Sequence, residues 1–147
     1  MDIKQAKAMF FDPKKVIDAA ERATQKVLSK FGAFVRQTAR GSIRSGKKPA
    51  APGRPPHSHT GLLKRFIFFG YDRQRKSVVI GPAKLNARSS DTAPEALEYG
   101  GDTKVIAGSR RRGRVVKKVS IESRPFMGPA FAKEQPKLPA MWRDSVK

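Results

Sequence analysis

Residues 12–40 carry one continuous amphipathic stripe, and a stripe that long admits few folds. Val16, Ala20, Ala23, Val27, Phe31, Phe34 and Thr38 recur at three- and four-residue spacing, while Ile17, Leu28 and Val35 widen the apolar face. This is the period of an α-helix with one side turned towards a core. Asp12 supplies an N-cap, and Pro13 suits the first helical position, where no intrahelical N–H bond is lost. Asp18 and Arg22 stand one turn apart, the spacing of an ion pair along a helix. Gly41 is the expected left-handed cap at the far end, with Arg36 and Arg40 where the helix dipole favours cations. Inside a helix Gly32 costs about 1 kcal/mol against alanine, so a bend or a close contact is expected there.

After the helix the pattern changes character. From Ser45 to Pro56 the chain reads Ser-Gly-Lys-Lys-Pro-Ala-Ala-Pro-Gly-Arg-Pro-Pro, and its four prolines and two glycines exclude a regular element and favour extended backbone. A connection as long as residues 42–59 is either functional or lacks fixed structure. Its functional form would be an extended arm laid on a neighbouring subunit, with Lys47, Lys48 and Arg54 as contacts. Residues 62–69 are then rich in aromatic and branched side chains, and residues 77–80 follow a polar turn over residues 71–76, so a hairpin is expected. Gly81-Pro82 closes its second strand, residues 86–94 are loop-like, and residues 94–99 hold a short helical turn.

A second hairpin is expected over residues 103–107 and 115–121. Val115, Lys117, Val119 and Ile121 alternate with Val116, Lys118, Ser120 and Glu122, so neither face is uniformly apolar. A sheet packed on one side requires clean alternation. The ribbon over residues 103–122 is therefore expected to project, by roughly 20 Å at about 3.3 Å per residue. Arg110, Arg111, Arg112 and Arg114 stand at its tip. Residues 129–146 have helical character broken by Pro136 and Pro139, with one short helix before Pro136 and another around Met141-Trp-Arg-Asp144, where Trp142 serves as a packing anchor.

Charge and composition set the class of partner. The 147 residues fit one domain over residues 1–147, with residues 1–11 as an N-terminal arm. A hydrophobic fraction of 38% is low for a compact monomer and suits either burial by oligomerisation or long solvated loops. Lysine and arginine total 32 against 12 acidic residues, a formal net charge of +20. From Arg22 through Tyr71 there is no acid among eleven basic residues. Such a field attracts DNA, RNA or an acidic protein surface and resists self-association unless it is spread or screened. With no cysteine, disulfides and thiolate chemistry are excluded and a reducing compartment is expected. The first residues lack the apolar core of a secretory signal, and no run approaches the roughly 18 apolar residues of a membrane span.

Catalytic and metal chemistry find little footing. His57 and His59 flank Ser58, but no cysteine or nearby carboxylate completes a zinc site. Asp91, Glu95, Glu98 and Asp102 are the one carboxylate cluster, nothing marks a nucleophile with a positioned base, and the Gly-rich runs lack a P-loop lysine. No catalytic residue, metal or cofactor is expected. The ribbon's basic residues, Lys117 and Lys118 with the tip arginines, can meet phosphates or an acidic protein ring. No aromatic side chains interleave them, so single-strand stacking is disfavoured.

Two short motifs remain, Ala96-Leu-Glu-Tyr-Gly-Gly101 and Arg124-Pro-Phe-Met-Gly-Pro-Ala130. Arg124-Pro125 forces extended backbone ahead of the last segment, and Pro129 stands where a helix start tolerates it. Phe126 anchors either in its own core or in a neighbour's pocket. Glu98, with Tyr99 and Gly100 beside it, forms either a solvated turn or a turn whose carboxylate pairs with a neighbour's arginine. Together with Thr60-Gly-Leu-Leu-Lys-Arg-Phe-Ile67 and the helix ahead of them, these motifs make the chain resemble, over roughly residues 16–134, the tail-component family of lambdoid tailed bacteriophages. Its members are head–tail joining, neck or tail-completion proteins. The resemblance implies an α+β subunit with the long helix packed on a small antiparallel sheet. It also implies a homo-oligomeric ring, of six copies, between the head connector (portal side) and the tail tube or its terminator, with a channel for DNA. The expected location is the virion neck or tail after assembly in the host cytoplasm, with no membrane partner. The proline-rich loop and the Arg-rich ribbon depart from the simplest members and leave the layer of the neck open. A free, sequence-independent nucleic-acid-binding protein is the alternative.

Overall fold

The amphipathic stripe folds as α1, Pro13–Ser42, in a computed structural model that describes residues 12–83, 93–107, 115–143 and 145. The arginine tip of the ribbon and the expected N-terminal arm lie outside the described residues. Asp12 caps α1 as its spacing predicts, Oδ1 accepting from the N–H groups of Lys14 at 3.0 Å and Lys15 at 3.3 Å. A cap of this kind contributes about 1 kcal/mol.

The far end departs from expectation. Gly41 lies within the helix and is not a left-handed cap; the chain leaves through Ile43 with φ −78 and ψ 111. Ile43 is itself a core residue, so its burial sets where the helix must let go. The Ser42 hydroxyl donates to the Ala39 carbonyl at 2.8 Å over that last turn.

The buried line of α1 runs through Ala23, Val27, Phe31, Val35 and Ala39. Steps of four drift around a helix of 3.6 residues per turn, so the stripe slants away from Phe34 and Thr38, which end half-buried. Val16 and Ile17 are 52% and 57% exposed, so the first turns stand clear of the core.

Two antiparallel strands, β3 (Ile67–Asp72) and β4 (Ser77–Pro82), pack along α1 in a register running from Ile67 opposite Pro82 to Asp72 opposite Ser77. Gly32 is what lets them approach. A Cβ there would stand 2.7 Å from Val78 Cγ2 and 3.0 Å from Phe69 Cδ2, so the close contact foreseen at this glycine is present. Arg36 Nε donates to the Ile67 carbonyl at 2.7 Å, and Lys76 pairs with Glu21 at 2.8 Å near the hairpin turn. The expected Asp18–Arg22 pair is not formed; Glu21 is the residue of this stretch that finds a cation.

The first hairpin starts later than the apolar run suggested. Leu62–Arg65 forms one helical turn, α2, begun by Gly61 at φ +73, and the strand opens only at Ile67. Ahead of it, the two-residue strands β1 (Arg44–Ser45) and β2 (His57–Ser58) flank the proline-rich stretch and pair in parallel. Between the paired residues, where the prolines lie and no ladder N–H is needed, residues 46–56 form no helix or strand, as the composition requires.

The helical turn expected near residues 94–99 is α3, Ala93–Tyr99. It leads into β5 (Gly101–Ala107) and β6 (Val115–Ile121), whose antiparallel register begins with Gly101 opposite Ile121. Helix α4 (Met127–Glu134), a 3-10 turn over Gln135–Lys137 and α5 (Leu138–Arg143) complete the described chain. Pro139 falls in the first turn of α5, a position that tolerates it, so it begins a helix where an interruption was expected.

The architecture is thus α+β, with a long helix, two separate two-stranded antiparallel sheets and short C-terminal helices. Its core gathers Phe31, Val35, Ala39 and Ile43 from α1 and the residue after it, Ile67 from β3, and Phe126 and Ala130 at α4. Burial of a side chain such as Phe126 contributes roughly 1.5–3 kcal/mol. The Phe31 and Phe131 rings add an edge-on contact at 5.6 Å. Among the described residues no helix is long and apolar enough to cross a membrane.

Candidate functional site

The two motifs near the C-terminal half meet each other within one chain. Helix α3 carries Glu98 to the start of α4, where three backbone N–H groups lack intrahelical partners. Glu98 Oε2 accepts from Phe126 N at 2.9 Å and Met127 N at 3.0 Å, and Oε1 accepts from Gly128 N at 2.7 Å. The carboxylate also meets the positive end of the α4 dipole. Gly128 suits this fit: a Cβ there would stand 3.1 Å from Glu98 Oε1 and would require the carboxylate to give by a few tenths of an ångström. Of the two turns open to Glu98 in sequence, solvated or paired with a neighbour's arginine, the chain shows neither: the side chain caps its own subunit's helix.

The glycines of the first motif turn the chain out of α3. Gly100 takes φ +82, its N–H closing the helix on the Ala96 carbonyl at 2.8 Å, and a Cβ on it would approach Ser123 N to 3.3 Å. Tyr99 beside it is 80% exposed and plays no part in this junction.

Arg124 ties a third segment to the same place. Its N–H donates to the Leu97 carbonyl at 2.6 Å, and its Nε donates to the Ala50 carbonyl, inside the proline-rich loop, at 2.8 Å. Nη1 donates to the Glu122 carbonyl at 3.0 Å. One residue earlier, the Ser123 carbonyl accepts from Gly53 N at 2.8 Å. Phe126 is 1% exposed in its own core, which decides between the two anchors open to it in sequence. Pro125 is half-buried and Pro129 exposed.

Of the loop cations, Lys47, Lys48 and Arg54 are exposed on a backbone held to the body. Nδ1 of His57 lies 3.0 Å from the Lys48 carbonyl, and since a carbonyl only accepts, that nitrogen carries the proton. The loop lies on its own subunit over this stretch, with Ala50 and Pro56 buried. In the ribbon, Lys118 pairs with Asp102 at 2.8 Å. The hydrogen bond to Lys118 holds the Asp102 carboxyl below its ordinary range, and the same bond raises the Lys118 ammonium. Arg110, Arg111, Arg112 and Arg114 lie outside the described residues, as does the Lys117 side chain.

One polar feature was missed in sequence. A cleft of about 670 Å³ between α1 and α4 has Phe34, Thr38, Pro129 and Lys133 on its walls and Glu134 in its lining. Glu134 is only 3% exposed, accepting from Thr38 Oγ1 at 2.7 Å and Lys137 Nζ at 2.6 Å. The bond to Lys137, then that to Thr38, holds its carboxyl below the usual glutamate range. Lys137 three residues on was a visible signal; Thr38, 96 residues away in sequence, was not. Held in this way, the Glu134 carboxylate braces α4 against α1. Among the described residues no group of three or more His, Cys, Asp or Glu is placed to hold a metal ion.

No protein-family model, curated protein or solved structure matches this chain.

Proposed function

We propose that this protein is a non-enzymatic structural component of a tailed bacteriophage, forming a homo-oligomeric ring at the head–tail junction that joins head connector to tail and leaves a channel for DNA. The observation that carries the reading is the union of its two motifs. Glu98 of the Glu-Tyr-Gly-Gly segment caps the helix begun by the Arg-Pro-Phe-Met-Gly-Pro segment, so the residues that bear the family resemblance act as one fold-defining joint. Such a joint spends the motif on building the subunit, and assembly then falls to surfaces outside it.

Those surfaces are available. Val16, Ile17, Phe68 and Val79 remain exposed, and both antiparallel sheets have only two strands, so each strand has one edge without a neighbouring strand. A two-stranded hairpin is marginal alone and gains from added neighbours. Like-charged subunits at +20 resist closing at low salt, so the ring is expected to form in the presence of partners or screening salt. Light scattering and native mass spectrometry across salt, alone and with connector and tail-tube proteins, should find one closed stoichiometry, expected to be six. A monomer under all these conditions would overturn the proposal. The second reading, a free nucleic-acid-binding protein, is favoured by the charge alone; electron microscopy of virions made without the gene separates the two, since only a neck component leaves heads and tails unjoined.

A further inference from the structure

We propose that the surface around the β1–β2 bridge binds the phosphate backbone of duplex DNA without sequence preference, through Arg44, Lys47, Lys48, Arg54, Lys64 and Arg65. This goes beyond the assembly reading and holds whether the chain is a monomer or a ring.

The first ground is charge without internal compensation. These six cations fall in the stretch from Arg22 through Tyr71 that contains no acid. Elsewhere most of the described carboxylates are engaged within the chain: Asp12 and Glu98 cap helices, Glu21 holds Lys76, Asp102 holds Lys118, Glu134 holds Lys137, and Glu122, beside the loop's anchor, faces Arg124. The ion pairs of the described residues include none of the six. Lys64 is half-buried and the other five are exposed.

The second ground is placement. Parallel pairing sets Arg44 opposite His57 and Ser45 opposite Ser58, and α2, which carries Lys64 and Arg65, packs against β2. Three hydrogen bonds fix the loop between them: His57 to the Lys48 carbonyl, Arg124 to the Ala50 carbonyl, and Gly53 to the Ser123 carbonyl. Cations on fixed backbone lose less freedom on binding than cations on a slack tail.

The third ground is what the surface lacks. From Arg44 to His59 the apolar side chains are only proline and alanine, so this span holds no large anchor for the centre of a protein–protein interface, although Leu62 is 49% exposed on α2 beside Lys64 and Arg65. Nor is there a phenylalanine, tyrosine or tryptophan in that span on which unpaired bases would stack. Lysine and arginine facing outward without base-reading companions match the sequence-independent part of duplex binding.

Two variants with equal charge loss provide the test: R44Q/K47Q/K48Q/R54Q in the loop and R110Q/R111Q/R112Q/R114Q at the ribbon tip. Affinity for a mixed-sequence DNA duplex is measured across salt, with thermal melting as the check on folding. If four loop cations each displace a counterion, the log–log salt slope of the loop variant should become shallower by about 3.6, and that of the tip variant by less than about 1. The charge-preserving R44K/R54K variant should keep the parent slope. A slope change in the loop variant no larger than in the tip variant overturns the proposal, because net charge and not this surface would then set the binding. Loop-dependent capture of polyglutamate with loop-independent duplex binding overturns it in favour of an acidic protein partner. Oligomeric state, followed in parallel by light scattering, reports separately on the assembly reading.

Discussion

The proline-rich loop and the β5–β6 ribbon look alike as sequence, both long, basic and without a consistently apolar face. In the folded chain they are opposites. The loop buries Ala50 and Pro56 and is held at three points by backbone or side-chain donors. The ribbon's described side chains are exposed or half-buried apart from Thr103, and its main neighbour is α3. Proline removes donors but leaves every carbonyl in place, and a buried carbonyl must be satisfied. Here Arg124 and His57 supply what the loop lacks, so richness in proline marks an anchoring problem as much as a slack tether.

If that contrast is right, the largest effect of a single change should come from the joint beneath the loop. Glu98→Ala strips the acceptor from three N–H groups, and bonds to a charged acceptor contribute about 1.5–3 kcal/mol each without adding fully. A loss of about 3 kcal/mol is expected in urea denaturation, on the same principle; a loss well under 1 kcal/mol would mean water replaces the carboxylate. Arg124→Ala should cost about 2 kcal/mol by removing a charged donor from the Ala50 carbonyl. It should also free the loop, so that trypsin cuts after Lys47, the one of its three cations not followed by proline, about tenfold faster, as local opening dictates. Unchanged proteolysis would show that the loop holds without its clamp. The smallest effect is expected in the ribbon, where Lys118→Gln removes a solvent-facing pair and should leave the denaturation midpoint where it was. A clear drop there would show that the ribbon is part of the cooperative body.

Local signals were legible in sequence and long-range ones were not. Asp12 with Pro13, the helical period of α1, the close contact at Gly32 and the second hairpin could be read because each is set by residues a few positions apart. The run after Gly61 misled because a short apolar stretch suits either period; one helical turn at Leu62–Arg65 precedes the strand. Gly41 misled because a buried Ile43 two residues on outweighed the preference of glycine for a left-handed cap. The Glu98 cap spans 28 residues of sequence and the Glu134–Thr38 bond spans 96, distances at which no spacing rule operates. Motif order brought Glu98 and Phe126 to notice, but only the fold shows that one caps the helix that begins beside the other.

Helix α1 is unbroken from Pro13 to Ser42, so at 1.5 Å per residue it measures about 45 Å. Its hairpin and core grip it from Glu21 onward, leaving the opening turns as an overhang with Val16 and Ile17 at hand. A rod of that kind is a ruler: whatever seizes the overhang is held at a set spacing from the joint at the other end, and a twist applied to one is delivered to the other.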